Sequence, residues 1–210
     1  MKLAIFDFDG TIFESACYWE KIIDDYLRKR NITPPENILS IVKPLGISGA
    51  AKLFKERFSL NEEQSEIVTD WRTKMGRNYH EVIPLKAYAY EYISKLQKEG
   101  TKICLATAME RDFVMPAMER TGISKLFDSI VTIADVNANK NSPRIFQYCA
   151  EQFQAEPYEC TVFEDSPQAA IICKEAGFHV IGVYDGVCKN DCDLMKPVCD
   201  QFICSFYELI

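Results

Sequence analysis

The sequence predicts an α/β protein built on a parallel β-sheet, with an all-helical domain inserted near its start. Five short apolar runs recur along the chain, separated by amphipathic helical patterns. Such alternation is typical of parallel sheets whose two faces are both covered by helices. The long stretch after the first run shows helical patterns and no strand signal. We therefore expect a Rossmann-like core formed by residues 1–13 and 82–210, and a helical domain at residues 14–81.

Each element follows from its local pattern. The apolar runs predict strands at Lys2–Phe6, Lys102–Ala106, Ser129–Ile133, Cys160–Phe163 and His179–Tyr184. Helical periodicity in the core predicts helices at Leu85–Glu99, Arg111–Arg120, Pro143–Phe153 and Pro167–Ala176. In the inserted stretch it predicts helices near Ala16–Lys29, Ala50–Phe58 and Glu62–Tyr79.

Proline, glycine and serine set the expected breaks. Pro116 should kink or end its helix early, because proline removes a helical hydrogen bond. Ser166 is a natural N-cap for the helix that begins with Pro167. The segment Lys43–Gly49 carries one proline and two glycines, which predicts a non-helical loop.

Composition excludes several classes of protein. The net charge of −7 and the lack of clustered Lys and Arg argue against a nucleic-acid partner. No apolar run is long enough to span a membrane. The first apolar run is interrupted by Asp7 and Asp9, so it is no signal peptide, and we expect a cytoplasmic protein. Nine cysteines, an odd number, favour reduced thiols, and Cys188, Cys192, Cys199 and Cys204 lack the paired spacing of a strong zinc signature.

Two carboxylates stand at the end of the first predicted strand, in Asp7-Phe8-Asp9-Gly10-Thr11. Ligands bind at the carboxyl edge of open parallel sheets. Alternation along extended backbone places Asp7 and Asp9 on the same side, where Mg²⁺ would relieve their repulsion. Gly10 lets the backbone turn and approach a phosphate closely. The alternative is an ordinary turn, because Asp and Gly favour turns.

Three further features follow later strands or precede a helix in the pattern that phosphate chemistry requires. Thr107 and the backbone N–H of Ala108 can hold a phosphate oxygen, although such a threonine is also a common helix cap. Lys140 can neutralise charge between a phosphate and a carboxylate, although most loop lysines are solvated. The pair Glu164-Asp165 can complete a Mg²⁺ site with Asp7, or it can serve a helix dipole.

With these residues in this order, the chain resembles the haloacid dehalogenase-like phosphotransferase superfamily. It looks closest to the branch of β-phosphoglucomutase-like and phosphoglycolate-phosphatase-like proteins. Asp7-Phe8-Asp9-Gly10-Thr11 resembles the first family motif and is highly specific. Thr107, Lys140 and Glu164-Asp165-Ser166 match the second, third and fourth motifs, and the insertion at 14–81 resembles the family's cap.

The resemblance implies a phosphatase of small phosphorylated metabolites with a defined set of roles. Asp7 would attack phosphorus and carry an aspartyl-phosphate, while Asp9 acts as general acid and base. Thr107 and Ala108 would hold the phosphoryl group, and Lys140 would balance its charge. The Mg²⁺ cofactor would be held by Asp7, the backbone carbonyl of Asp9, Asp165 and Glu164, the last directly or through water.

Departures from the family pattern bear on the reaction. Mutases of this branch carry a histidine in the first cap helix and an arginine in the cap loop, and Trp19 and Gly49 occupy these positions here. We therefore expect hydrolysis, with a phosphosugar mutase as the alternative. A receiver-like domain and a catalytically silent phosphate-binding protein are the non-enzymatic alternatives. Dehalogenases of the family usually lack the second aspartate, so Asp9 favours phosphate chemistry.

The sequence leaves the substrate unnamed. Phosphoglycolate, sugar phosphates, nucleotides and pyrophosphate are all compatible with these motifs. Because members of the family are often monomeric, the resemblance implies a monomer. The cap residues that set specificity are not indicated by any motif.

Overall fold

The computed structural model describes residues 1–35, 38–136, 142–187 and 189–210. Within them lies one six-stranded sheet with the order β3-β2-β1-β4-β5-β6, in which every neighbouring pair is parallel. The strands are β1 Leu3–Phe6, β2 Lys102–Thr107, β3 Ser129–Thr132, β4 Cys160–Glu164, β5 His179–Val183 and β6 Gln201–Ile203. The predicted α/β class and parallel sheet are confirmed. The sequence prediction missed β6, because a three-residue edge strand has no room for a pattern.

The centre of the sheet is buried on both faces, which explains why β1 is apolar throughout. All four of its residues are buried. Leu3 is paired with Lys102 on one side and with Cys160 on the other. The ladder continues past the strand, since the Asp7 N–H donates to the Phe163 carbonyl at 3.0 Å. This bond fixes the backbone of Asp7 at the carboxyl edge of the sheet.

Helices cover both faces. They are α5 Ala89–Lys98, α6 Arg111–Thr121, α7 Ile133–Val136, α8 Arg144–Gln152, α9 Pro167–Glu175 and α10 Lys189–Met195. The helix predicted from Leu85 begins later, because Leu85 bridges to Phe13 and Lys86 donates its N–H to Ile12. Tyr88 then adopts a left-handed conformation, with φ of 63°.

Pro116 was predicted to kink its helix or to end it early; the early end is wrong, and the kink stays a prediction. Helix α6 runs through it to Thr121. Phe113, Val114, Ala117 and Met118 are buried on either side of the proline. Their burial stabilises the helix more than the one missing hydrogen bond weakens it.

Four helices form the segment between β1 and β2: α1 Ala16–Arg28, α2 Ile38–Val42, α3 Gly46–Arg57 and α4 Gln64–Glu81. The predicted all-helical insertion is confirmed, whereas its division from the core at residues 14 and 81 stays a prediction. The non-helical loop predicted at Lys43–Gly49 is wrong. Lys43–Leu45 is a 3₁₀ turn and α3 starts at Gly46, whose φ of 64° lets the chain change direction between them.

Two hydrophobic clusters lie on opposite faces of the sheet. One runs from the sheet into the insertion and includes Phe8, Phe13 and Trp71. The other packs α8 and α9 beneath the sheet, around Phe146 and Phe178. The first cluster makes the insertion and one face of the sheet a continuous core. No helix in the described part of the chain is both long and apolar enough to cross a membrane.

Candidate active site

The carboxyl edge of the sheet gathers the predicted acidic residues. Asp7 follows β1, Glu164 ends β4 and Asp165 follows it, and all three are buried. One carboxylate oxygen from each lies within 4.8 Å of the others. Three buried carboxylates at this spacing repel one another, and a divalent cation would offset that repulsion.

The donor set fits Mg²⁺, which prefers oxygen ligands. Asp165 Oδ1 is buried and has no hydrogen-bond partner among the described residues. A buried carboxylate oxygen without a partner is costly, so a cation here would stabilise the site.

Glu164 is held by the backbone that follows it. Its Oε2 accepts hydrogen bonds from the N–H groups of Asp165 and Ser166, each at 3.1 Å. Ser166 occupies the predicted N-cap position of α9, but its side chain makes no capping hydrogen bond. The carboxylate of Glu164 satisfies the N–H groups ahead of the helix instead, which fixes its orientation at the site.

The loop from Phe8 to Phe13 is a tight turn that presents Asp9 and Gly10. The N–H groups of Ile12 and Phe13 both donate to the Phe8 carbonyl at 3.1 Å, and Gly10 N–H donates to Phe13. Gly10 has a φ of 77°, which favours glycine. The buried rings of Phe8 and Phe13, 4.5 Å apart, anchor the turn.

Asp9 is surrounded by groups that move its pKa in opposite directions. Burial, and to a lesser extent the charge of Asp7, raise the pKa of Asp9 above its ordinary value. The hydrogen bond from Tyr79 and the charge of Lys43 lower it, and the resulting pKa is about 6. The net result is a carboxyl group that changes protonation close to neutral pH, as an acid and base catalyst requires.

Tyr79 holds this carboxyl group from the insertion. It lies near the end of α4, is fully buried, and its hydroxyl donates a hydrogen bond to Asp9 Oδ1. Burial, and then the charge of Asp9, raise the pKa of the Tyr79 phenol well above its ordinary value, so the phenol stays protonated. Trp19 acts as a further hydrogen-bond partner that lowers the pKa of Tyr79.

Thr107 and Ala108 lie on the neighbouring strand end. Thr107 is the buried last residue of β2, and its Oγ1 accepts the Met109 N–H at 3.0 Å. A hydroxyl that accepts one hydrogen bond still has its proton to donate, so Thr107 can bind a phosphate oxygen. Helix α6 begins only at Arg111, and Thr107 is therefore not its N-cap.

The structure brings together Asp7, Asp9, Gly10, Glu164 and Asp165. Thr107 and Ala108 lie at the same edge, at the end of β2 beside β1. Lys140 lies outside the described residues, and its predicted role stays a prediction.

The sequence analysis missed three residues at this edge: Lys43, Tyr79 and Asp185. The Lys43 ammonium forms an ion pair with Asp165 Oδ2 across the boundary between insertion and sheet. Asp185 is buried just beyond β5, at a strand end that the sequence had already predicted. The rule that ligands gather at strand ends could have found Asp185. Tyr79 and Lys43 carried no such signal, because their partners are far away in sequence.

A family model for haloacid dehalogenase-like hydrolases matches residues 4–183. The chain belongs to this family. Among curated proteins, the pyrophosphatase PpaX of Bacillus velezensis is 26% identical over 185 residues, which cover 85% of this chain and 81% of that protein. The expected enzyme class, a phosphatase of the haloacid dehalogenase-like type, is confirmed.

Solved structures share the fold. A protein from Haemophilus somnus, described as a predicted phosphoglycolate phosphatase, matches with a TM-score of 0.82 and 20% identity, covering all of this chain and 96% of its own. The β-phosphoglucomutase of Clostridium difficile matches with a TM-score of 0.81 and 18% identity. The match covers 100% of this chain and 93% of that one. At this identity the likeness concerns the fold alone.

Proposed function

We propose that the chain is a Mg²⁺-dependent phosphatase that hydrolyses a small phosphorylated metabolite through an aspartyl-phosphate on Asp7. The observation that carries this proposal is the buried group of Asp7, Glu164 and Asp165, with Asp9 and Thr107 at the same sheet edge. The helical insertion acts as a cap over this edge, since Lys43 and Tyr79 contact the site from it.

In the first step an oxygen of Asp7 attacks phosphorus, and the bond to the leaving oxygen breaks. Asp9 donates its proton to that oxygen. The raised pKa of Asp9 supplies the protonated form near neutral pH. Thr107 donates its hydroxyl hydrogen to a phosphoryl oxygen, and the Ala108 N–H and Lys140 complete the phosphate site.

In the second step water attacks the phosphorus of the aspartyl-phosphate. Asp9, now ionised, accepts a proton from that water, and the bond between phosphorus and Asp7 breaks to release phosphate. The hydrogen bond from Tyr79 favours the ionised carboxylate that this step needs and holds its orientation.

Asp7, the carbonyl of Asp9, Glu164 and Asp165 would hold the Mg²⁺ ion. When bound, the ion neutralises negative charge shared by the phosphoryl oxygens and the carboxylates.

Hydrolysis is favoured over the mutase alternative by two positions in the insertion. Trp19, at the position of the mutase histidine, supports Tyr79 and through it Asp9. Gly49, at the position of the mutase arginine, carries no cation, and a side chain there would require Leu45 to shift, because a Cβ at residue 49 would lie 2.9 Å from the Cβ of Leu45. Residue 49 therefore supplies no charge for a second substrate phosphate.

Pyrophosphate is the first substrate to test, because curated relatives are named pyrophosphatases. The panel should add phosphoglycolate, sugar phosphates, nucleotides and p-nitrophenyl phosphate, each with Mg²⁺ and with EDTA. A glucose 1-phosphate to glucose 6-phosphate assay tests the mutase alternative. We expect Mg²⁺-dependent turnover of at least one phosphate compound and no isomerisation.

The covalent step is tested by mass spectrometry of the intact protein after acid quench. With p-nitrophenyl phosphate, whose good leaving group has little need of a general acid, we expect Asp9→Asn to accumulate one phosphoryl group on Asp7, because water attack lacks its base. Asp7→Asn should take up none, and Asp193→Asn, an exposed acid away from the site, should behave as wild type. Phosphorylation without turnover in the wild-type chain would favour the receiver-like alternative, and no phosphorylation in any variant would contradict the mechanism.

A further inference from the structure

Asp185 is a buried carboxylate at the active-site edge that no step of the proposed mechanism uses. It lies two residues beyond the end of β5 and is only 4% exposed. Its Oδ1 accepts the Val187 N–H at 3.0 Å. Its Oδ2 is buried and has no hydrogen-bond partner among the described residues. An ionised oxygen in that condition is expensive unless something outside the chain binds it.

That oxygen of Asp185 lies close to the backbone of Gly10. A Cβ added to Gly10 would collide with Asp165 Oδ2 and would lie 2.6 Å from Asp185 Oδ2. Both oxygens therefore approach the same point of the Gly10 backbone. Glycine at this position gives the space that the two carboxylates occupy, in addition to the φ that the turn requires.

Asp185 lies outside the closely spaced set of three carboxylates. In the described part of the chain, Asp7, Glu164 and Asp165 form the set whose ligand oxygens all lie within 4.8 Å of one another, and Asp185 is not in it. Mg²⁺ usually keeps several of its water molecules when it binds protein carboxylates. Such a water can donate a hydrogen bond to a carboxylate one layer beyond the ligands.

We propose that Asp185 binds the divalent cation of this site through one of the ion's water molecules, with Oδ2 accepting the hydrogen bond. This inference rests on the proposed Mg²⁺ site. Oδ1 stays bound to Val187, which orients the side chain, and Oδ2 receives the partner that it lacks. Asp185 is therefore a positioning residue whose main effect is on metal affinity.

Asp185→Asn tests the charge of the side chain while keeping its size and shape. The amide oxygen of asparagine can still accept the Val187 N–H, so the loop keeps its hydrogen bond. The variant removes the negative charge that favours a cation and its water. Asp185→Ser is a second variant, since a serine hydroxyl can also accept a nearby backbone N–H.

The experiment is a titration of the metal-free full chain with Mn²⁺, with free ion read by electron paramagnetic resonance and Mg²⁺ tested by competition. We expect Asp185→Asn and Asp185→Ser to raise the Kd roughly 10- to 100-fold, which is the usual loss when a residue that hydrogen-bonds to a metal's ligands is substituted. Asp193→Asn removes one exposed charge from the nearby α10 and should leave the Kd unchanged. Asp165→Asn should abolish tight binding.

A second readout is the rise in Tm caused by Mg²⁺, which follows metal affinity. We expect both Asp185 variants to keep or raise the Tm of the metal-free chain, because one buried charge is gone, and to lose most of the rise. Wild-type metal affinity in the Asp185 variants, with weak binding in Asp165→Asn, would overturn this inference alone. A wild-type chain that binds neither ion would overturn it together with the metal-dependent function.

Discussion

The sheet edge and the helical insertion contribute to the site in different ways. At the sheet edge, the backbone of Asp7 is held by the neighbouring strand, and the side chains of Thr107 and Glu164 are held by backbone N–H groups two residues away. The insertion contributes Tyr79 and Lys43, whose partners lie 70 and 122 residues away in sequence. In the proposed function, the sheet edge carries the groups that react, and the insertion carries groups that adjust them. This difference predicts which substitutions abolish activity and which only modify it.

The largest effect is expected at the sheet edge. Asp7→Asn removes the proposed nucleophile, and we expect kcat to fall by a factor that approaches roughly 10⁶, the scale seen when a nucleophile is removed from an enzyme. Steady-state kinetics with the best substrate of the panel measures this loss, and far-UV circular dichroism checks the fold. A fully active Asp7→Asn enzyme would contradict the assignment.

In the insertion, substitution of a buried core residue should cause the largest loss of folding stability. Trp71 is 1% exposed, and its ring meets Phe54 edge-on at 4.9 Å and Tyr26 at 5.5 Å. Trp71→Ala should lower the free energy of unfolding by about 3–5 kcal/mol, because a large cavity forms. Urea denaturation measures the change. Arg77→Ala, on an exposed part of the same helix, is the control and should change stability by less than about 0.5 kcal/mol.

Tyr79 lies in the insertion and contacts Asp9 at the sheet edge. The effect of its substitution on activity should be smaller than that of Asp7→Asn. Tyr79→Phe keeps the ring and removes the hydrogen bond that lowers the pKa of Asp9. Asp9 is protonated below its pKa of about 6 and ionised above it. The variant raises that pKa, so the limb of the pH–rate profile that reports Asp9 should move to higher pH.

We expect kcat of Tyr79→Phe at neutral pH to fall about tenfold, a part of the 10²- to 10⁴-fold that general acid–base catalysis supplies. Tyr90→Phe, on α5 away from Asp9, is the matched control. An unmoved profile in Tyr79→Phe would show that the hydrogen bond does not act on Asp9 during catalysis.

The smallest effect, a small change in Tm, is expected from substitution of Lys43. Its ammonium forms an ion pair with Asp165, so it would compete with a divalent cation for the negative charge of that carboxylate. Lys43→Met should lower the Tm of the metal-free chain by about 2–3 °C, since the ion pair is partly exposed and the chain is of middle size. The Mg²⁺-induced rise in Tm should then exceed that of wild type. Lys52→Met, an exposed lysine on α3, is the control, and an equal rise in all three proteins would argue against competition.

Much of the site could be predicted because its residues follow a local rule. Asp7, Thr107 and Glu164-Asp165 each stand where an apolar run ends, and parallel strands bring those ends to one edge. The same rule extends to Asp185, which the sequence analysis passed over although it follows the fifth predicted strand. The reason for Gly10 was only partly visible, because the space it leaves for Asp165 and Asp185 depends on strands far along the chain.

The sequence by itself determined the α/β class, the parallel strands, the helical insertion and the order of the proposed reactive residues, because these depend on local periodicity and spacing. Only the tertiary structure decided the start of α5, the passage of α6 through Pro116 and the 3₁₀ turn at Lys43–Leu45, where contacts override local preference. It also decided that Tyr79 meets Asp9 and that Lys43 meets Asp165. Those contacts depend on how the insertion packs on the sheet, and local sequence patterns do not predict this packing.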